Sequence, residues 1–236
     1  MGERNNVFGV VLAGGKGTRM GNVEKPKQFM NVGGKPIIVH TVEKFVVCPG
    51  FDMVLVLSPK QWIKHTEDLI RKYIPGATNV KVIEGGSSRN ETIMNSIKYI
   101  DSQGLLDDDT IIVTHDSVRP FVTHRILEEN IEFTKKFGAC DTVVAATDTI
   151  VRSDDGDFVT EIPERSKMYQ GQTPQSFRAK KLRDLYESLT ETEKGILTDA
   201  TKIFTIKGEQ VHLVEGEVFN IKITYPYDLK VAEALL

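Results

Sequence analysis

The chain has 236 residues, 40% hydrophobic and 27% charged, with a net charge of −3. That is enough apolar material for a large α/β domain, and too balanced a charge to draw the protein to nucleic acid or an anionic membrane, so anion binding must come from local clusters. Cys48 and Cys140 are solitary, which fits neither a disulfide framework nor a zinc site and suits reduced thiols in a cytoplasmic protein. The charged opening MGERNN leads into a strand rather than a leader, and no apolar run approaches the roughly 18 residues of a membrane span.

Residues 8–12 form a valine-rich run that stops at Gly14 and Gly15, as a buried parallel strand does when it delivers a tight loop. The stretch GVVLAGGKGTRMG, from Gly9 to Gly21, looks like a phosphate loop but fits neither common pattern. Gly15 stands where a P-loop has its lysine, and Met20 replaces the third glycine of the dinucleotide fingerprint. What remains is a glycine-rich turn whose bare N–H groups can approach an anion. Lys16, Arg19, Lys25 and Lys27 follow closely, and four cations beside such a nest suit a triphosphate. Taken by itself, the stretch reads equally well as a solvated basic turn.

Strand-like and helix-like stretches then alternate, the pattern of a mostly parallel sheet covered on both faces. Pro36 opens a helix with the stripe Ile37, Ile38, Thr41, Val42, Phe45 and Val46. A strand over 53–57 precedes Ser58-Pro59 and a second helical stripe through Trp62, Ile63, Leu69, Ile70 and Tyr73. A strand over 80–83 ends at Gly85-Gly86, and Ser88 with Glu91 makes a capping box before Ile93, Ile97 and Ile100. Strands over 110–114 and 139–146 come next, followed by two alternating segments around Asp154-Asp155-Gly156-Asp157, which predict a projecting β-hairpin over 149–163. Helices over 180–189 and 191–204, short strands over 211–214 and 220–224, and a helix over 227–236 complete a single domain, 1–236, with an arm.

Three polar, glycine-rich or charged stretches sit just after predicted strands: the first loop, residues 85–92, and HDSVRP at 115–120. The carboxyl ends of strands form the ligand crevice of an open α/β sheet, so these stretches should meet. Asp116 beside a cationic phosphate loop makes chemical sense as a Mg²⁺ ligand, with an Asx-type cap as the plainer reading. Arg119 either pairs with Asp116 or forks onto a second phosphate. Lys222 lies on the face opposite Ile221 and Ile223, and His115 reads as a structural neighbour of Asp116. No Ser-His-Asp or paired-carboxylate arrangement is present, which fits a reaction needing no general base.

GGKGTRMG with KPKQF, GGSSRNETI, HDSVRPF, YQGQTPQSF and NIKITYPYDL, in this order along the chain, resemble the cytidylyltransferases that make CDP-ribitol or CDP-methylerythritol. The resemblance implies a Rossmann-like nucleotidyltransferase, homodimeric and Mg²⁺-dependent, that converts CTP and a polyol phosphate to a CDP-polyol and pyrophosphate. Carried over, Leu12, Ala13, Gly14, Gly15, Gly17 and Thr18 would cradle the nucleotide, with Arg19 and Lys27 on the triphosphate. Gly86, Arg89 and Thr92 would line the cytidine side. Asp116, Arg119, Thr149, Thr173 and Lys222 would form the polyol-phosphate side and reaction centre, with Arg165 reaching the partner subunit's substrate. Ser117-Val118 stand where the family commonly has alanines. LTDATKIF (197–204), HDSVRPF and YQGQTPQSF resemble the ribitol 5-phosphate branch, which supplies a teichoic acid precursor for the cell wall, more than the methylerythritol branch of isoprenoid precursor synthesis. A nucleotide-binding regulatory module and a sugar-1-phosphate nucleotidyltransferase are the other readings; the presence of Arg19, Lys27, Asp116 and Lys222 argues against the first, YQGQTPQSF and NIKIT against the second.

Overall fold

The computed structural model describes residues 6–15 and 25–236. Its strands are β1 (Val7–Leu12), β2 (Asn31–Val32), β3 (Lys35–Pro36), β4 (Met53–Ser58), β5 (Val80–Glu84), β6 (Ile111–Asp116), β7 (Ala139–Ala145), β8 (Tyr169–Arg178) and β9 (His212–Glu215). Seven of them form a sheet in the order β5-β4-β1-β6-β8-β7-β9, and β2 with β3 makes a small separate ribbon. β5, β4, β1 and β6 are parallel neighbours; β8 runs antiparallel between β6 and β7.

Every residue of β1 and β6 is buried, as expected for central strands covered on both faces. Val7 and Val11 face one core, with α1 (Ile37–Val46), α2 (Ile63–Tyr73) and α4 (His124–Phe137). Phe8, Val10 and Leu12 face the other, with α3 (Arg89–Ser102), α5 (Ala179–Glu187) and α7 (Thr201–Ile206). This two-residue alternation carries the sheet's two-sided packing. Gly9 is required within it: a Cβ there would lie 2.7 Å from Phe45 Cδ1, so its absence lets the Phe45 ring lie against the strand.

The expected strand and helix positions in the first half are present, and the differences have local causes. β8, not anticipated, carries a proline, a glycine and three glutamines, which mask a strand pattern. Its ladder with β7 shifts register between Asp141 and Val143. At that irregularity Thr142 Oγ1 donates to the Pro174 carbonyl at 2.6 Å. The helix expected over 191–204 is two: α6 (Glu191–Gly195), opened by a capping box at Thr190 and Glu193, and α7, where Asp199 accepts the Lys202 N–H. Residues 220–224 are not a strand; they form a loop without regular secondary structure, bonded through Ile223 to Val118 and Lys27.

The arm is looser than a hairpin. Over 149–163 a single bridge, Arg152 with Glu161, joins its two sides, and Asp155 accepts the Asp157 and Phe158 N–H groups at the turn. Val151, Phe158, Val159 and Ile162 are all exposed on it. The sequence alternates there, but the side chains have no facing layer in this chain to pack against, so the strand pattern does not propagate. The chain ends in α8 (Pro226–Leu235), whose Asp228 accepts the Thr224 and Tyr225 N–H groups.

Candidate active site

The carboxyl ends of β1 and β6 lie side by side, with Leu12 in register with Asp116. The chain leaves β1 toward β4 on one side and finds β6 on the other, so this is the topological switch point where open α/β sheets bind ligands. A cleft of about 430 Å³ opens there, lined by Leu12, Gly14, Gly15, Lys27, Gln28, Gly86, Arg89, Thr92, Asp116 and Lys222. That volume suits a small-molecule ligand.

The first loop is fixed by its backbone. The Ala13 N–H donates to Leu57 O at 2.9 Å and Gln28 Nε2 donates to Ala13 O at 2.7 Å. Ala13 itself packs into the core rather than lining the cleft. Gly17, Thr18 and Arg19 lie outside the described residues. Lys27 is buried in a one-turn 3-10 helix, Lys27–Phe29, and its Nζ donates to the Ile223 carbonyl at 2.9 Å.

The second loop presents the start of α3. The Gly86 N–H donates to Thr92 Oγ1 at 2.9 Å, and that hydroxyl donates to Ser88 O at 2.7 Å. A Cβ on Gly86 would strike Glu91 at 2.6 Å, so only glycine allows this close wrap. Ser88 caps α3 through the Glu91 N–H. Glu91 does not complete the expected box; its carboxylate takes the Ser87 N–H and hydroxyl instead. A helix N-terminus aimed into a cleft favours an anion.

Asp116 is the electrostatic centre. Lys222 Nζ lies 2.8 Å, Arg89 Nη2 3.4 Å and Arg119 Nε 3.8 Å from its carboxylate oxygens. Burial pushes the Asp116 carboxyl up, but Arg89, Lys222 and Arg119 together outweigh it and hold the group well below the usual carboxylate range. Arg119 is itself anchored, with Nη1 donating to the Asn220 carbonyl at 2.7 Å.

His115 explains how this turn is held. Burial pushes its pKa down to about 4, so the ring is neutral near pH 7. Nε2 faces the Arg119 carbonyl at 3.0 Å, and a carbonyl can only accept, so Nε2 carries the hydrogen. Nδ1 then accepts from the Thr173 hydroxyl at 2.9 Å, and the same hydroxyl oxygen accepts the Asp116 N–H at 3.2 Å. His115 is therefore a structural prop, as the sequence suggests.

Several expected site residues stand elsewhere. Thr173, expected on the substrate side, is buried behind Asp116 with its hydroxyl already engaged. Thr149 and Arg165 are exposed on the arm side, and Arg165 donates to Thr147 O at 3.1 Å; neither lines the cleft of its own chain. Lys222 reaches the cleft from a loop rather than a strand. That loop is clipped to the HDSVR turn by the Ile223 N–H donating to Val118 O, which replaces the missing ladder. Two supporting residues are not singled out by the sequence pattern, Gln28 and Asn220. Asn220 is fully buried and donates to Thr173 O and Gln172 Oε1. Both sit inside motif stretches, KPKQF and NIKIT, where the neighbouring cations carry the stronger signal.

Against known proteins, the sequence pattern of the family described as IspD, 2-C-methyl-D-erythritol 4-phosphate cytidylyltransferase, matches residues 7–236. The chain belongs to this family. Among solved structures, 2-C-methyl-D-erythritol 4-phosphate cytidylyltransferase (IspD) from Francisella tularensis superposes with a TM-score of 0.80 at 26% identity, covering 98% of this chain and 100% of that one. The 4-diphosphocytidyl-2C-methyl-D-erythritol synthase of Anaerococcus prevotii gives 0.79 at 27% identity, with 97% and 95% covered. The 2-C-methyl-D-erythritol 4-phosphate cytidylyltransferase of Thermus thermophilus gives 0.69 at 27% identity, with 96% and 97% covered. The chain is thus an α/β nucleotidyltransferase of the cytidylyltransferase type, and no helix among its described residues is long and apolar enough to cross a membrane.

The donor set bears on the Mg²⁺ expectation. Among the described residues no cluster of three or more His, Cys, Asp or Glu side chains is placed to hold a metal, and Asp116 is the sole carboxylate among those lining the cleft. This fits Mg²⁺, which binds through one or two carboxylates plus phosphate oxygens and water rather than in an all-protein cage.

Proposed function

We propose that this IspD-family protein transfers CMP from CTP to a polyol phosphate, giving a CDP-polyol and pyrophosphate. The observation that carries this reading is the convergence of Arg89, Arg119 and Lys222 on Asp116 at the switch point, with Lys27 buried beside them. Two polyanions repel unless cations lie between them. In the proposed reaction a phosphate oxygen of the acceptor attacks the α-phosphorus of CTP, and the bond to the departing pyrophosphate breaks in line. The acceptor is largely a dianion at neutral pH and is already nucleophilic, so no general base is required. Lys27, Lys222 and Arg19 hold the phosphates in line, the α3 N-terminus and Gly86 receive the cytidine, and Asp116 holds Mg²⁺. When bound, Mg²⁺ supplies neutralisation of the triphosphate charge. Catalysis is then positioning and charge stabilisation. The exposed arm residues Val151, Phe158, Val159 and Ile162 support a homodimer in which Arg165 and Thr149 serve the neighbouring cleft.

For the acceptor, our reading is D-ribitol 5-phosphate, supported by HDSVRPF, YQGQTPQSF and LTDATKIF. These three stretches are bonded to one another: the Asp116 N–H to Thr173, and Gln175 Nε2 to Thr201 at 2.8 Å. The second reading is 2-C-methyl-D-erythritol 4-phosphate, which the family description and the names of its solved members favour. Measuring pyrophosphate release from CTP with each acceptor separates them. A site that pairs the extra hydroxyl of ribitol loses that partner with the shorter polyol, so we expect kcat/KM at least about a hundredfold higher for ribitol 5-phosphate. The reverse preference assigns methylerythritol phosphate. Turnover only of a sugar 1-phosphate with UTP or dTTP overturns both, and nucleotide binding without turnover of any acceptor leaves a regulatory module.

A further inference from the structure

Three cations gather on one carboxylate in a cleft whose described lining holds no other acid. The Asp116 side chain is only 12% exposed, so these attractions are weakly screened. The cations are not equally committed. Arg119 is tied to the Asn220 carbonyl, whereas Lys222 and Arg89 keep 40% and 24% of their side chains exposed toward the cleft and, among the described ion pairs, meet Asp116 alone. Arg89 Nη1 and Arg119 Nε are buried with no hydrogen-bond partner among the described residues. Unmet donors of this kind mark cations that are gathered but not satisfied.

We propose that Asp116 is a specificity-determining residue that makes the cleft select metal-complexed polyphosphate over the bare anion. The inference rests on the reading of this cleft as a polyphosphate site. A metal-free polyphosphate meets a carboxylate that repels it and already occupies Lys222 and Arg89. To bind, it must strip those cations and leave a nearly buried carboxylate with Arg119 alone, 3.8 Å away, which is unfavourable. A metal-complexed polyphosphate brings a cation that Asp116 takes in exchange, releasing Lys222 and Arg89 to the phosphates. The same carboxylate keeps the cationic cleft from filling with the unchelated phosphates of its surroundings.

The test is isothermal titration of pyrophosphate into the full-length protein, with EDTA and separately with Mg²⁺, for the wild type and Asp116→Asn. The amide has nearly the same shape but no charge. The wild type should bind pyrophosphate on the order of tenfold or more tightly with Mg²⁺ than without it. Asp116→Asn should bind the metal-free anion at least about tenfold more tightly than the wild type does, with little further gain from Mg²⁺. The double variant Asp116→Asn/Lys222→Met should lose most of that gain. Metal-free affinity in Asp116→Asn equal to or below the wild-type value overturns the proposal. Should that variant fail to fold, a wild-type protein that binds bare and chelated pyrophosphate equally overturns it by itself. Because the readout is binding, it is separable from the reaction: the predicted affinities with no cytidylyl transfer would sink the catalytic reading alone, and transfer with no gain in Asp116→Asn would sink this one alone.

Discussion

Lys27 Nζ donates to the carbonyl of Ile223, tying the residue just after the glycine loop to the one that follows Lys222. One buried ammonium therefore fixes the spacing between two arms of the cleft, besides supplying charge. Lys27→Ala removes both functions. We expect kcat/KM to fall about a hundredfold or more, on the order of 3 kcal/mol of transition-state stabilisation, together with a lowered thermal midpoint from the lost clip. Arg19→Ala should match the kinetic loss. Steady-state assays with subsaturating CTP and a melting curve for each variant check this, and wild-type turnover in either would remove the triphosphate assignment.

Arg165 and Asp116 provide a test of assembly. Arg165 does not line its own cleft, so in the proposed dimer it completes the neighbour's. Arg165→Ala and Asp116→Ala should each be nearly inactive, and mixing them should restore activity because a mixed dimer contains one intact site. If mixed dimers form, as shown by differential tagging, and the mixture stays inactive, Arg165 does not act across the interface.

Two buried groups set opposite pH responses of stability. Burial pushes Asp141 up to about 6, with Asp199 adding to the shift and Gln175, Thr201 and Arg89 opposing it. The folded state thus holds a proton there that the unfolded chain gives up near pH 4. The stabilisation is fully present below that value and is lost as pH rises through about 6. Asp141→Asn, which never ionises, should be more stable than the wild type at pH 7, on the order of 2 kcal/mol, and no more stable at pH 4. His115 works the other way, since its folded pKa is depressed to about 4. Its contribution is present above about pH 6.5 and is lost as pH falls toward 4. His115→Gln should flatten the acid side of the stability curve relative to the wild type. Urea unfolding at pH 4, 5, 6 and 7 reads both slopes, and parallel wild-type and variant curves would show that neither group titrates as described.

Gly9 offers a packing test far from the chemistry. Gly9→Ala places a methyl 2.7 Å from the Phe45 ring in a fully buried layer, and such overpacking costs about 1–3 kcal/mol. The double variant Gly9→Ala/Phe45→Leu should recover part of that loss. A Gly9→Ala protein as stable as the wild type would mean that the Phe45 ring shifts freely.

Much of this architecture is legible in the sequence because a central parallel strand needs continuous apolar residues: Val7–Leu12, Met53–Ser58 and Ile111–Asp116 announce themselves. The clustering of Gly86, Arg89 and Asp116 follows from each standing just after or at the end of such a strand. β8 is hidden because its burial is satisfied by hydrogen bonds rather than by apolar side chains: Ser176 bonds Asn130 and Thr134, and Gln175 bonds Asp141 and Thr201. No alternation rule reports such pairings. Thr173 has a structural role that is hidden for a related reason. A hydroxyl in a functional stretch reads as a ligand contact, and its part as the bridge between the His115 ring and the Asp116 backbone leaves no mark in the sequence. Lys222 reads as a strand residue because Ile221 and Ile223 flank it; the Val118 carbonyl and Lys27, both remote in sequence, keep that segment out of the sheet.

β8 also has a mechanical side. Its outer end, Tyr169 to Gly171, is exposed and follows the arm after a short 3-10 turn, Arg165–Lys167, while the seven residues after it run inward and six of those are buried. Thr173, near the middle, carries the only side chain to which the Asp116 N–H is bonded among the described contacts. The strand lies between β6 and β7 over Gln175 to Phe177, while its outer end, Tyr169 to Gly171, is paired with β7 alone. A second molecule docked on the arm would therefore act on the strand that carries Thr173, and through that hydroxyl on the Asp116 backbone, as well as by the residues it inserts.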